Sequence, residues 1–321
     1  MTRSLIFKIL YALGVFHFLR KQKKGHITVI SLHRISDKKD YFFQPLSPAT
    51  FERLVVYCKK YYEVVSFSEI TRETRKPKLI FSFDDGYYDF MEHAIPVLHK
   101  YGLPCNHNFV NASLNGNHII WTQQLNDIFN FLRGNNITDD DIIRSFGVKF
   151  ENNWNVYYIS FFREMLKTGA GDRKKIIESL TGKYKVVSDY RMMTWDDVRQ
   201  CAEQYNVEIG CHTYNHESLY AVINDDVLKN EIEKAIDEMS AKINRNVEIL
   251  ALPNGQYNDT VLDFIKAKGI KFTLMVGNKV NPEVNIGQTN NIISRINLIN
   301  ESYCEMVHRV ELFHEKIRKL L

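Results

Sequence analysis

Short apolar runs alternate with longer amphipathic stretches along most of the chain. The runs at 26–32 (HITVISL), 62–66 (YEVVS), 78–83 (KLIFSF), 105–110 (CNHNFV), 207–211 (VEIGC), 247–252 (VEILAL), 271–276 (KFTLMV) and 291–294 (NIIS) are rich in Val, Ile, Leu and Phe. Several lack the strict alternation of a half-exposed strand, which predicts strands buried on both faces. Between them the period of 3.6 predicts helices over 47–61, 87–101, 194–206, 225–244 and 258–268, the last followed by Gly269 as a stop. Strand–helix alternation of this kind points to an α/β fold with a parallel sheet, open or closed into a barrel. Residues 111–193 break the rhythm: helical patterns occur at 121–132, 138–146, 157–166 and 172–180 with no strand between them. They read as a helical insertion on one loop of a single domain spanning 25–300. Residues 301–321 read as a C-terminal helix that ends basic.

At 321 residues, with 45% hydrophobic and 25% charged side chains, the chain is an ordinary globular protein. The net charge of +4 is too small to mark a nucleic-acid surface, but it is unevenly placed. Residues 1–24 carry Arg3, Lys8, Arg20, Lys21, Lys23, Lys24 and no acid, which is +6 and leaves −2 for the rest. The same segment holds the apolar stretch 5–19 (LIFKILYALGVFHFL), short of the roughly 20 residues that cross a bilayer. It is followed by RKQKK and by no small-x-small cleavage site. Two readings stand: a helix docked on the body, or an interfacial helix in peripheral contact with anionic lipid. An uncleaved signal anchor is a third. Five well-separated cysteines with no C-x-x-C pair argue against a disulfide framework and a structural zinc cluster, and place the chain in a reducing, cytoplasmic setting.

Parallel α/β folds place their chemistry at the carboxyl ends of strands. There the chain carries His33 and Arg34, then Asp84 and Asp85, then His212 and His216, then Pro253, Asn254 and Gly255, and finally Arg295. Two adjacent aspartates at the end of a buried strand need a cation or a charged partner, unless they cap a helix. His212 and His216 stand at metal-ligand spacing. One carboxylate with two imidazoles is a facial set that leaves positions open on a zinc or iron ion, and the second Asp stays free as a base.

The segments FSFDDG at 81–86, IGCHTYNHESL at 209–219 and LALPNGQYND at 250–259 resemble the polysaccharide deacetylases that share the NodB homology domain, carbohydrate esterase family 4. SLHRI at 31–35 and MTWDDV at 193–198 support the resemblance, which runs from about Ile27 to Arg295. It implies a distorted (β/α)7 barrel, here with a helical insertion. It also implies Asp84 as catalytic base, Asp85, His212 and His216 as ligands of a divalent metal such as Zn2+, and Pro253-Asn254-Gly255 as a loop lining the site. The chain departs from the family pattern in two places. Ala251 stands where many members carry an Arg, and Ser294-Arg295-Ile296-Asn297 stands where a Leu-x-His motif supplies the general acid. Arg295 is thereby a candidate to orient Asp84. His33, whose ordinary pKa near 6.5 suits proton transfer at neutral pH, is a candidate acid, with His107 behind it.

Trp121 is a candidate substrate wall or a core residue, Trp195 a stacking or a helix-packing residue, and Arg34 a ligand for an acidic sugar or the partner of a neighbouring acid. The implied activity is hydrolysis of an acetamido group on a sugar, glycan or lipid-linked saccharide. A deformylase or other amidohydrolase acting on a lipid-linked sugar or small amide is an alternative. A catalytically silent carbohydrate-binding protein of the same fold is another, against which the intact Asp84, Asp85, His212 and His216 set stands.

Overall fold

The structure, a computed structural model, describes residues 3–14, 16, 20, 23–116, 119–220, 224–283 and 290–312. Seven strands form its centre: β1 (His26–Leu32), β2 (Lys78–Asp85), β3 (Cys105–Phe109), β4 (Val207–Cys211), β5 (Ile249–Ala251), β6 (Phe272–Val276) and β7 (Asn291–Asn297). Each is parallel to the next, β7 pairs with β1, and β1 pairs with β2, so the sheet closes into a (β/α)7 barrel. The ring is uneven. β4 and β5 meet at the single pair Cys211 and Leu250, and β3 joins β2 only from Ser82 onward. The run at 62–66 contracts to Glu63–Val64, which pairs with the first two residues of β2 and stays outside the ring. A two-residue strand, Asn281–Pro282, lies antiparallel to the start of β1. No apolar run announces it, and Pro282 can donate no ladder hydrogen bond.

Side-chain parity sorts the barrel into layers. Val29 of β1, Ile80 of β2, Ile249 and Ala251 of β5, Leu274 of β6 and Ile293 of β7 share one apolar cluster that Phe67 closes from below. The opposite parity, including Leu32, Phe81, Phe83, Phe109 and Ile209, packs against the surrounding helices. Fully burying each such Phe or Leu contributes about 1.5–3 kcal/mol. Above the aliphatic floor the interior turns polar. Ser82 Oγ donates to Asn106 Oδ1 at 2.8 Å, Asn106 Nδ2 donates to Asn108 Oδ1 at 3.1 Å, and Arg295 Nη1 donates to Ser82 Oγ at 3.1 Å. Gly210 of β4 makes room for this ladder, because a Cβ there would stand 2.0 Å from Asn108 Oδ1.

The surrounding helices begin and end where local chemistry directs. Ser47 caps Pro48–Tyr61, Thr194 with Asp197 forms a capping box on Trp195–Gln204, and Gly102 in the left-handed region ends Ile95–Tyr101. The insertion consists of Trp121–Gly134, Asp141–Ser145, Trp154–Lys167 and Ala170–Tyr184, with an apolar core of its own around Leu125, Phe129, Phe161, Met165 and Leu180. It is sutured to the barrel by Trp121, whose Nε1 donates to the carbonyl of His216 at 3.0 Å, and by the ion pair of Arg173 with Glu217.

At the N-terminus a helix, Arg3–Ala12, lies on Tyr303–Val310. Phe7 and Phe16 pack on the buried ring of His308, and His308 Nε2 donates to the Phe7 carbonyl at 2.9 Å. Residues 313–321, the end of the expected C-terminal helix, lie outside the described residues. Among the described residues no helix is long and apolar enough to cross a membrane.

Candidate active site

β2 runs through both aspartates instead of ending before them. Asp84 is in phase with Ile80 and Ser82 and points into the barrel. Its Oδ1 accepts from Arg295 Nη1 and from Asn108 Nδ2, each at 2.7 Å. Its Oδ2 faces His33 Nε2 at 3.9 Å and Ser31 Oγ at 3.5 Å. Burial alone would raise the Asp84 carboxyl, but the Arg295 guanidinium, with His212 and His33, outweighs it and holds the group well below the usual carboxylate range.

Asp85 adopts φ 79°, a left-handed conformation that turns its side chain away from that of Asp84. Asp85 Oδ1 lies 3.5 Å from both His212 Nε2 and His216 Nε2 and has no hydrogen-bond donor among the described residues. Burial, then the neighbouring Asp84, push its carboxyl well above the ordinary value.

His212 follows β4 directly. Its Nδ1 donates to the carbonyl of Ala251 at 2.9 Å, which fixes the tautomer and leaves the Nε2 lone pair toward Asp85. The loop then folds back through Thr213 at φ 64° and His216 at φ 60°, conformations costly for side chains of this kind. The buried carboxylate of Glu231 holds the loop, accepting from the backbone N–H of Asn215 at 2.9 Å and its side-chain amide at 2.6 Å. Burial lowers the pKa of both histidines, keeping the imidazoles neutral.

One ligand atom from each of Asp85, His212 and His216 lies within 4.8 Å of the others. A buried carboxylate oxygen without a donor and two neutral imidazoles, one with its tautomer set, fit a divalent cation.

These groups open onto a cavity of about 310 Å³. His33, Asp84, Asp85, His212, His216 and Arg295 line it, together with Phe43, Tyr87 and Asn254. The insertion contributes Thr122, Asn126, Tyr158 and Phe162. A larger cavity of about 650 Å³ lies between the insertion and Gln256 and contains none of the convergent titratable groups.

Four expectations need correcting. Arg34 does not reach the cavity. It is buried beside it, with Nε 3.3 Å from Asp89 Oδ2, Nη1 3.6 Å from Asp40 Oδ2 and its guanidinium stacked on Tyr190. Trp121 is not a substrate wall, since its ring is covered by Phe162 on one side and Arg173 approaches it, and its N–H is spent on His216. Of the 253–255 turn only Asn254 lines the cavity; Pro253 is buried, and Gly255 packs on Val276. His107 has the parity of Phe109, points out of the barrel and lies between Phe90 and Phe109.

Asn108, Ser82, Glu231 and Asn126 escaped the sequence reading, because polar residues inside a barrel carry no pattern that separates them from polar residues on a surface. The unbroken parity of Asn106 and Asn108 within an otherwise apolar strand was the one signal available.

The family model for polysaccharide deacetylases matches residues 71–273, the stretch that carries both aspartates, both histidines and the Pro253–Gly255 turn. The chain belongs to the polysaccharide deacetylase family. It is thus a hydrolase of carbon–nitrogen bonds other than peptide bonds, and its Asp/His/His constellation is a possible metal site in a family where metal dependence is general. His33 and Arg295 fall outside the matched stretch.

Among solved structures this deacetylase is similar to the Streptococcus pyogenes deacetylase PplD in complex with acetate, at 16% identity and TM-score 0.57 over 89% of this chain and 98% of that one. It is similar to IcaB from Ammonifex degensii at 12% identity and TM-score 0.57, covering 89% and 97%. A de-N-acetylase from Aggregatibacter actinomycetemcomitans shares 18% identity at TM-score 0.52, covering 84% and 95%. At these identities the likeness is one of fold. No curated protein matches the chain by sequence.

Proposed function

We propose that this deacetylase removes the acetyl group from an acetamido sugar of a glycan or lipid-linked saccharide, with Zn2+ held by Asp85, His212 and His216. The observation that carries the reading is the division of labour between adjacent carboxylates. Asp85 is buried with its Oδ1 facing two neutral imidazoles and, among the described residues, without a donor, while Asp84 is pinned by Oδ1 and lines the cavity. A divalent cation bound there supplies Lewis acidity, lowering the pKa of a water and polarising the amide carbonyl.

Asp84 Oδ2 takes the proton of the attacking water, and Arg295 keeps Asp84 ionised and aimed. A backbone N–H of the 86–87 turn after β2, or of the 253–255 loop, would donate to the developing oxyanion. The departing amine needs a proton. Burial lowers His33 to about 4 against the pull of Asp84, so it is neutral at pH 7 in the resting site. His33 therefore delivers a proton only after receiving it from Asp84, 3.9 Å away.

Acetate release from an N-acetylated glucosamine oligomer, with metal content measured in parallel, tests the proposal. Asp84→Asn should lower kcat by roughly 10²–10⁴ with metal retained, whereas Asp85→Asn should lose metal. Formate as the product from a formylated sugar, with no acetate from any acetylated one, would reassign the acyl group. Undiminished kcat in Asp84→Asn would remove the base.

The exposed Ile9 beside Lys8 on the N-terminal helix, and Leu13 just after it, favour a substrate met at a membrane surface, through peripheral contact of residues 1–24. Salt-sensitive binding of the full chain to anionic vesicles checks this.

A further inference from the structure

The two insertion helices that reach the cavity each present a pair of residues four apart, and such pairs share one helix face. Trp121–Gly134 presents Thr122 and Asn126, and Trp154–Lys167 presents Tyr158 and Phe162. The aromatic pair is braced from behind. Phe162 stacks on Trp121 with centroids 5.4 Å apart, and Tyr158 lies 4.8 Å from Phe42. Asn126 is 4% exposed, yet among the described residues its Oδ1 has no hydrogen-bond partner. A buried carboxamide oxygen left unpaired is costly, and Asn126 lines the cavity that holds Asp84 and the Asp/His/His set.

Resting on the deacetylase reading, we propose that the insertion is the sugar-reading half of the active site. Asn126 Oδ1 accepts a hydrogen bond from a hydroxyl of the acetylated sugar ring, and Tyr158 and Phe162 form the apolar wall against which that ring lies. The barrel then performs the chemistry and the insertion selects the ring that receives it. The cavity, about 310 Å³, is at the small end of the roughly 300–1,000 Å³ that ligand sites span, a size suited to one ring with its acetamido arm. Discrimination by such a site is asymmetric. A pocket built to bond a hydroxyl rejects the analogue that lacks it far more strongly than an apolar pocket rejects an added group.

The test uses the full chain loaded with Zn2+ and three kinds of substrate: p-nitrophenyl acetate, which carries the acetyl group and no sugar, an N-acetylglucosamine oligomer, and a panel of the same acetamido sugar lacking one hydroxyl at a time. Asn126→Ala should lower kcat/KM on the oligomer by roughly 10–100-fold, mainly through KM, and leave p-nitrophenyl acetate hydrolysis within about twofold. Wild type should lose a comparable factor on one deoxy analogue, on which Asn126→Ala loses nothing further. Asn126→Asp, which keeps the acceptor oxygens, should retain more activity on the oligomer than Asn126→Ala.

If Asn126→Ala deacetylates the oligomer as well as wild type does, the Oδ1 is met by water and this inference falls while the deacetylase reading stands. Equal losses on all three substrate kinds would make Asn126 structural and overturn it too. If wild type hydrolyses p-nitrophenyl acetate but no acetylated saccharide, the deacetylase reading itself fails and takes this inference with it.

Discussion

The carboxylates of Asp84 and Asp85 are neighbours in the chain, yet Arg295 and Asn108 hold the first ionised while burial drives the second toward protonation. The left-handed φ at Asp85 is what separates them, aiming one at the barrel axis and the other at the two histidines. His107, one strand away, shows the opposite use of a titratable group. Enclosed by Phe90 and Phe109, it is lowered by burial to about 3, against the pull of Asp84. Its folded value lies below its unfolded value near 6.5. Between those two values the unfolded chain holds a proton that the folded chain refuses, so stability falls as pH drops through this window. At pH 5 the cost relative to pH 8 is about 2 kcal/mol. His107→Leu should therefore stabilise the protein more at pH 5 than at pH 8, by a margin of that size, in urea denaturation at the two pH values. An equal effect at both would mean that His107 is protonated in the folded protein.

The loop from His212 to His216 is held in a costly conformation by elements far from it in sequence, a pattern expected where a site is preorganised. Glu231 binds its backbone from one side, and Trp121, the first residue of the insertion's leading helix, binds the carbonyl of His216 from the other. The insertion thus takes part in ligand geometry as well as in walling the cavity. Trp121→Phe keeps an aromatic ring against Phe162 and deletes the indole donor. By the usual worth of outer-shell support it should weaken metal affinity about 10-fold or more, measured by competition with a chromophoric chelator. Unchanged affinity would show that Glu231 and the strand suffice. The helices that carry these residues were legible from periodicity and caps. The bond from Trp121 to His216 was not, because it joins residues 95 apart through the packing of two elements that share no local signal.

Across the whole molecule, charge and apolar surface are both asymmetric. The N-terminal segment turns Phe7 and Phe16 inward onto His308, while Leu13 is 71% exposed and Ile9 41% exposed. Lys23 and Arg20 reach back to the buried Glu311, which also accepts from Tyr57 Oη at 2.6 Å. The segment is therefore docked on the body, and its outer face remains available to a surface. Basic residues near an anionic bilayer contribute about 1 kcal/mol each, an attraction that salt screens. The full chain should bind vesicles containing anionic lipid at low salt and release them as salt rises, and a chain lacking residues 1–24 should not bind. The truncation should also lower Tm, since it leaves Glu311 buried without its two cations. Equal vesicle binding by both chains would place the contact elsewhere.

From sequence alone came the seven barrel strands to within a few residues, the helical insertion, and the two motifs whose aspartates and histidines converge. Those features are local: a strand buried on both faces, a capped helix and a paired-acid turn each leave their mark within about ten residues of chain. Tertiary structure alone decided the closure of the sheet, with the run at 62–66 left outside it, and everything that depends on closure. Arg295 meets Asp84 across 211 residues because β7 and β2 flank β1 in one register. Arg34 turns from the cavity to Asp89 and Asp40, and Asn126 joins the lining of the cavity that holds the aspartates. Pattern along a chain reports which side chains are buried; which of them meet depends on register and packing between distant segments, and the chain's local periodicity does not encode it.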